Sequence, residues 1–120
     1  MSNFVVIGLS HQTAPLKLRE ITTAKSVEQK SLYFDLNSMF DVRELMILST
    51  CNRIELYVVV NESERLREWF VQWAQIPTEH LASVYIHIDD VALNHLFRVA
   101  GSLDSMVLGE SPAGLVLISI

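Results

Sequence analysis

The chain has 120 residues, half of them hydrophobic and 19% charged, with four glycines and three prolines; this suits one compact domain with a radius of gyration of roughly 14 Å and excludes disordered, collagen-like and low-complexity classes. Nine Lys and Arg against 14 Asp and Glu leave a net charge of −5, which argues against a general nucleic-acid binder, so any RNA contact must be local. The one cysteine, Cys51, forbids an intrachain disulfide and suits a reducing cytoplasmic compartment, and neither a signal peptide nor an apolar run near the roughly 20 residues of a membrane span is found.

Residues 4–10 (FVVIGLS) are apolar and β-branched up to a polar end, and they read as a buried strand. Residues 11–15 form a loop, because Pro15 biases Ala14 away from helical geometry. Ser26-x-x-Gln29 has the form of a capping box before Leu32, Leu36, Met39 and Phe40, which predicts a first helix ending near Phe40. Residues 44–49 (ELMILS) are a second strand. In the third, Ile54, Leu56, Val58 and Val60 share one face, and Glu55, Tyr57 and Val59 share the other. Only Thr50, Cys51, Asn52 and Arg53 separate these strands, so the connection is a tight antiparallel hairpin, in which Asn52 tolerates positive φ. Asn61 and Ser63 are candidate N-caps of a second helix, whose stripe is Leu66, Trp69, Phe70 and Trp73. Residues 83–88 (SVYIHI) are a fourth strand. Asp90 then caps a third helix with Leu93, Leu96, Phe97, Ala100 and Leu103 on its apolar face.

The order β-α-β-β-α-β-α predicts an α+β fold: a ferredoxin-like βαββαβ sandwich of strand order 4-1-3-2 with an additional C-terminal helix. In that topology the loop after Ser10 and the 50–53 turn lie at one end of the sheet, and the third helix climbs back toward it. Residues 1–110 form the domain. Residues 111–120 are an atypical, uncharged apolar tail, suited to pairing with an exposed sheet edge and so to self-association. Neither Gly-x-Gly-x-x-Gly nor Gly-x-x-x-x-Gly-Lys occurs, so the chain carries no nucleotide-binding fingerprint of its own.

A free cysteine is commonly a small buried hydrophobe. At a strand-to-turn junction beside Arg53, however, Cys51 is also a candidate nucleophile, because exposure and a nearby cation favour the thiolate. Arg53 reads either as a solvated turn residue or as a fork that grips a carboxylate. His95, Arg98, Ser102 and Ser105 form one polar stripe on the third helix. This is the wet face of an amphipathic helix or, for His95, an acid, base or oxyanion donor toward a Cys51 adduct. That second role requires the helix to cross the end of the sheet rather than run straight up. His11, His80 and His87 lack metal-ligand spacing, so no metal is implied, and His80 and His87 read as surface or strand residues.

The strings GLSHQTAPLKLRE (8–20), STCNRIELY (49–57) and HLFRVAGSLDSMVLGE (95–110) together resemble the N-terminal catalytic domain of glutamyl-tRNA reductase, in that family's order and spacing. The resemblance implies a ferredoxin-like domain and the NADPH-dependent reduction of glutamyl-tRNA to glutamate-1-semialdehyde, in haem and other tetrapyrrole synthesis. Cys51 matches the family's nucleophile, which forms a thioester that hydride reduces. Thr50, Asn52 and Arg53 match its substrate-binding turn, His95 a histidine important for activity, and Ser105 and Glu110 further substrate-contacting positions. The His11 loop also belongs to the pattern, as site scaffolding. The implied partners are glutamyl-tRNA, glutamate-1-semialdehyde aminomutase and, in full-length members, a second subunit; no membrane is implied. After Glu110 the family reads Pro-Gln-Ile-Leu-Gly-Gln-Val-Lys, whereas this chain reads Ser-Pro-Ala-Gly-Leu-Val-Leu-Ile. That break predicts a product truncated before the NADPH-binding and dimerisation domains, with a frame-shifted or added tail. Such a fragment is expected to be limited to ester cleavage or to be inactive. The competing readings are a non-enzymatic folded fragment and a ferredoxin-like binding module.

Overall fold

The computed structural model describes residues 2–107 and 115–119. Five strands, β1 (Asn3–Ser10), β2 (Glu44–Ser49), β3 (Arg53–Val60), β4 (Tyr85–Ile88) and β5 (Leu115–Ser119), form one sheet. Its order is β4-β1-β3-β2-β5, and every pairing is antiparallel. The helices are α1 (Leu16–Ser26), α2 (Gln29–Met39), α3 (Leu66–Ala74) and α4 (Asp90–Val107). The fold is α+β, and its first four strands follow the expected 4-1-3-2 order. The apolar tail supplies β5 to the chain's own sheet, where it pairs with β2 as an edge strand.

The alternation along β3 sorts the two faces of the sheet. Ile54, Leu56, Val58 and Val60 join Val5, Ile7, Leu9, Leu45 and Ile47 in the larger core, closed by Leu18 of α1, Leu32 and Leu36 of α2, and Leu66 and Phe70 of α3. Each such side chain contributes roughly 1.5–3 kcal/mol through burial. On the opposite face, Val6, Leu48 and Tyr57 pack against Ala92 and Val99 of α4. Both faces are therefore covered, and a polar residue on the second face of β3 is not solvated.

Four local expectations are corrected. Residues 16–26 form a helix, α1, that apolar spacing does not reveal. Its buried positions are Leu18, Thr22 and Ser26, and the two hydroxyls are satisfied by the helix itself, Thr22 donating to the Leu18 carbonyl and Ser26 to that of Thr23. Ser26 thus ends α1 instead of capping α2, and the capping box does not form. Ser63 does not cap α3 either. Its hydroxyl donates to Asn3 Oδ1, and the chain enters α3 through a 3-10 turn at Ser63–Arg65. Finally, Asp90 begins α4 rather than capping it. Asp89, at φ 54°, accepts the Leu93 N–H on its carbonyl and the Phe4 N–H and Asn3 amide on its carboxylate, which anchors the start of α4 to β1.

α4 is also rotated from the expected face. Ala92, His95 and Val99 are buried, whereas Phe97 is 65% exposed and Leu93 is exposed as well. The buried set has i, i+3, i+7 spacing, so one helical face still packs. It includes His95 because that residue has a buried partner.

Candidate active site

Antiparallel pairing of β1 with β3 places Ser10 opposite Arg53, so the loop after β1 and the hairpin turn meet at one end of the sheet. The His11 N–H donates to the Asn52 carbonyl at 2.7 Å. Thr50 Oγ1 accepts the N–H groups of Asn52 and Arg53 at 3.1 and 3.2 Å, the pattern by which a hydroxyl residue fixes a turn. Arg19 of α1 ties the two loops together, donating to the carbonyls of Cys51 (2.8 Å) and Ala14 (3.3 Å). Cys51 is exposed on this braced turn.

Beside the turn lies a cleft of about 400 Å³. Ser10, Gln12 and Thr13 line it from the β1 loop, Arg53 from the turn, Tyr85 and His87 from β4, and His95, Arg98 and Val99 from α4. The expected convergence of three distant segments is therefore present. Cys51 stands outside that lining, two residues before Arg53.

The floor of the cleft is Glu55, which is fully buried. Its Oε1 accepts the Tyr57 hydroxyl at 2.6 Å. Its Oε2 accepts the Tyr85 hydroxyl, meets His95 Nε2 at 2.5 Å and lies 3.4 Å from Arg53 Nη1. An ionised carboxylate is an acceptor only, so toward an ionised Glu55 these partners are all donors and a ring N–H of His95 faces it. Burial, followed by the charge of Glu55 and its hydrogen bonds, pushes both phenols far above their ordinary pKa. They therefore remain donors at any working pH. The His87 ring lies 4.8 Å from that of His95. Burial first, then the charges of His95 and Arg98, hold His87 below the usual histidine range.

Of the residues singled out from sequence, Arg53 and His95 meet at Glu55, Thr50 and Asn52 frame the turn, and Cys51 is exposed on that turn, outside the cleft lining. Ser105 falls in the last turns of α4, and Glu110 lies outside the described residues. His95 points to the sheet rather than to the wet face of its helix. Sequence reading missed Glu55, Tyr57, Tyr85, His87 and Arg19 as parts of this end of the molecule. One signal pointed to Glu55: an amphipathic third helix has nothing to cover except the face of the sheet on which Glu55 lies. Arginines and histidines around one cleft suit an anionic group, an exposed thiol on the turn that carries Arg53 suits acyl transfer, and an imidazole backed by a carboxylate suits proton transfer. Among the described residues, no group of three or more His, Cys, Asp or Glu is placed to hold a metal ion, and no helix is long and apolar enough to cross a membrane.

Comparison with known proteins identifies the family and the fold. A relative from Gloeothece citriformis, named glutamyl-tRNA reductase, is 39% identical over 113 residues, covering 90% of this chain and 26% of its own length. One from Legionella pneumophila, with the same name, is 42% identical over 108 residues, with 89% and 26% covered. The chain thus spans about a quarter of the length of these relatives. The solved structure of glutamyl-tRNA reductase from Methanopyrus kandleri superimposes with a TM-score of 0.58 at 25% identity, covering 89% of this chain and 24% of that one. The profile for the N-terminal domain of glutamyl-tRNAGlu reductase matches residues 7–112, and the chain belongs to that family.

Proposed function

We propose that this domain carries out the acyl-transfer half of glutamyl-tRNA reduction, in the synthesis of haem and other tetrapyrroles. The Cys51 thiolate attacks the carbonyl carbon of the glutamyl ester. A sulfur–carbon bond forms, the ester carbon–oxygen bond breaks, and the tRNA ribose oxygen leaves with a proton. The product is a thioester, which keeps an electrophilic carbonyl. Arg53 grips the side-chain carboxylate of the glutamyl group, and Ser105 and Glu110 complete the substrate contacts. The free ring nitrogen of His95 takes the Cys51 thiol proton and returns it to the leaving oxygen. The observation that carries this reading is the convergence of the Cys51 turn, Arg53 and the carboxylate-backed His95 at one end of the sheet.

The family's reductant is NADPH, a hydride donor. The residues described here do not fit it: the connections from β1 to α1 and from β4 to α4 contain no glycine-rich phosphate turn. The chemistry assigned to this chain therefore ends at the thioester. With this reading go the ferredoxin-like assignment of the four-strand sheet, a cytoplasmic location, the aminomutase as partner, a dimeric full-length protein, and a catalytic domain of residues 1–110 followed by the atypical apolar tail of residues 111–120.

Rapid-quench mixing with radiolabelled glutamyl-tRNA tests the proposal, comparing the chain with Cys51→Ser, each with and without NADPH. Ester cleavage that needs Cys51 and not NADPH is expected. Decay unchanged by the protein would mean a folded but non-enzymatic module.

A further inference from the structure

The clamp on Glu55 depends on a glycine. In the sheet, Gly8 pairs with Glu55 on one side and with Tyr85 on the other, so the three residues form one row across β3, β1 and β4. The Tyr85 hydroxyl and the Glu55 carboxylate meet across that row. A Cβ at position 8 would collide with the Ile54 carbonyl oxygen and stand 2.9 Å from Glu55 Cα and 3.0 Å from Glu55 Cγ. It would occupy the side of β1 over which Glu55 extends. Its neighbours on that face are Val6, which carries a full side chain packed with Tyr57, and Ser10, which lines the cleft.

We propose that Gly8 is a positioning residue for His95: its missing side chain leaves the gap through which Tyr85 clamps Glu55, and the clamped carboxylate holds Nε2 of His95 and leaves Nδ1 as the working nitrogen. The alternative, a glycine required only for close strand packing, explains the Ile54 contact but not the hydrogen bond that crosses the same row. The groups facing His95 are Glu55, Tyr57 and Arg53 of β3, Tyr85 and His87 of β4, and Arg98 of its own helix. Of these, Glu55 meets Nε2 through its Oε2. The consequence for catalysis rests on the acyl-transfer reading above, whereas the arrangement of the ring does not.

The test is proton–nitrogen NMR of the His95 ring in chain labelled with nitrogen-15 histidine, alongside the backbone amide spectrum and the Cys51-dependent cleavage rate. A proton on Nε2, with that nitrogen 2.5 Å from a buried carboxylate oxygen, is expected to give a downfield resonance protected from exchange. Gly8→Ala should shift or abolish that resonance and slow cleavage by roughly tenfold to ten-thousandfold, the range spanned when the support of an oriented histidine is lost. Glu55→Gln should abolish it, and Tyr85→Phe should shift it. A folded Gly8→Ala chain with an unchanged ring resonance would overturn the proposal. Should Gly8→Ala fail to fold, Tyr85→Phe carries the test, since it removes only the clamp from β4; an unmoved resonance in that variant overturns the proposal equally. Resonances that respond as expected in a chain that never cleaves the ester would uphold the positioning and defeat the acyl-transfer reading instead.

Discussion

Removing the two phenols from Glu55 one at a time measures how tightly the floor of the cleft is held. Tyr57 donates to Oε1 and Tyr85 to Oε2 of a carboxylate with no exposed surface. Tyr→Phe keeps each ring and its packing and removes one donor. A hydrogen bond to a charged group contributes about 1.5–3 kcal/mol. With a urea m value of about 2 kcal/mol/M for a domain of this size, each single variant should lower the unfolding midpoint by about 1 M at unchanged m. The two losses should not add, because both fall on the same carboxylate. A coupling of about 0.5 kcal/mol or more is expected in the double variant. Urea unfolding at pH 7, followed by tryptophan fluorescence, reads all four members of the cycle. Single variants within about 0.5 kcal/mol of the parent, with strict additivity in the double, would refute the idea that Glu55 is a clamped, buried carboxylate.

Thr50→Ala removes the acceptor for the Asn52 and Arg53 amides and should cost about 1 kcal/mol by urea unfolding, with Thr50→Ser restoring most of it. Because His87 is held below the ordinary histidine value of 6.5, the unfolded chain takes up that proton first as the pH falls. Stability should therefore fall as pH drops through 6.5 toward the folded value and be complete above it, and His87→Gln should flatten that part of the profile; an identical slope would contradict the assignment. Leu56→Ala empties a fully buried site at the centre of the sheet and should cost about 2–5 kcal/mol in the same assay.

What sequence made legible, and what it hid, follows from which contacts are local. The bounds of β2, the hairpin at 50–53 and the stripe of α3 were readable because alternation and helical spacing act over a few residues. So was the meeting of the Ser10 loop with the Cys51 turn, which follows from strand order. α1 was not legible, because two of its three buried positions are Thr22 and Ser26, polar residues satisfied within their own helix. Alternation puts Glu55 on the face of β3 opposite Ile54 and Leu56, and its burial depends on α4 covering that face from forty residues away in sequence. The same long-range partner turns His95 inward and leaves Phe97 in solvent, the reverse of what hydrophobicity alone dictates.

Intact-mass analysis after mixing with glutamyl-tRNA and acid quenching tests the central claim most directly. The account predicts a glutamyl adduct on the parent chain, mapped to the Cys51 peptide, released by hydroxylamine and absent from Cys51→Ser. No adduct on the parent chain, or the same adduct on Cys51→Ser, would contradict it.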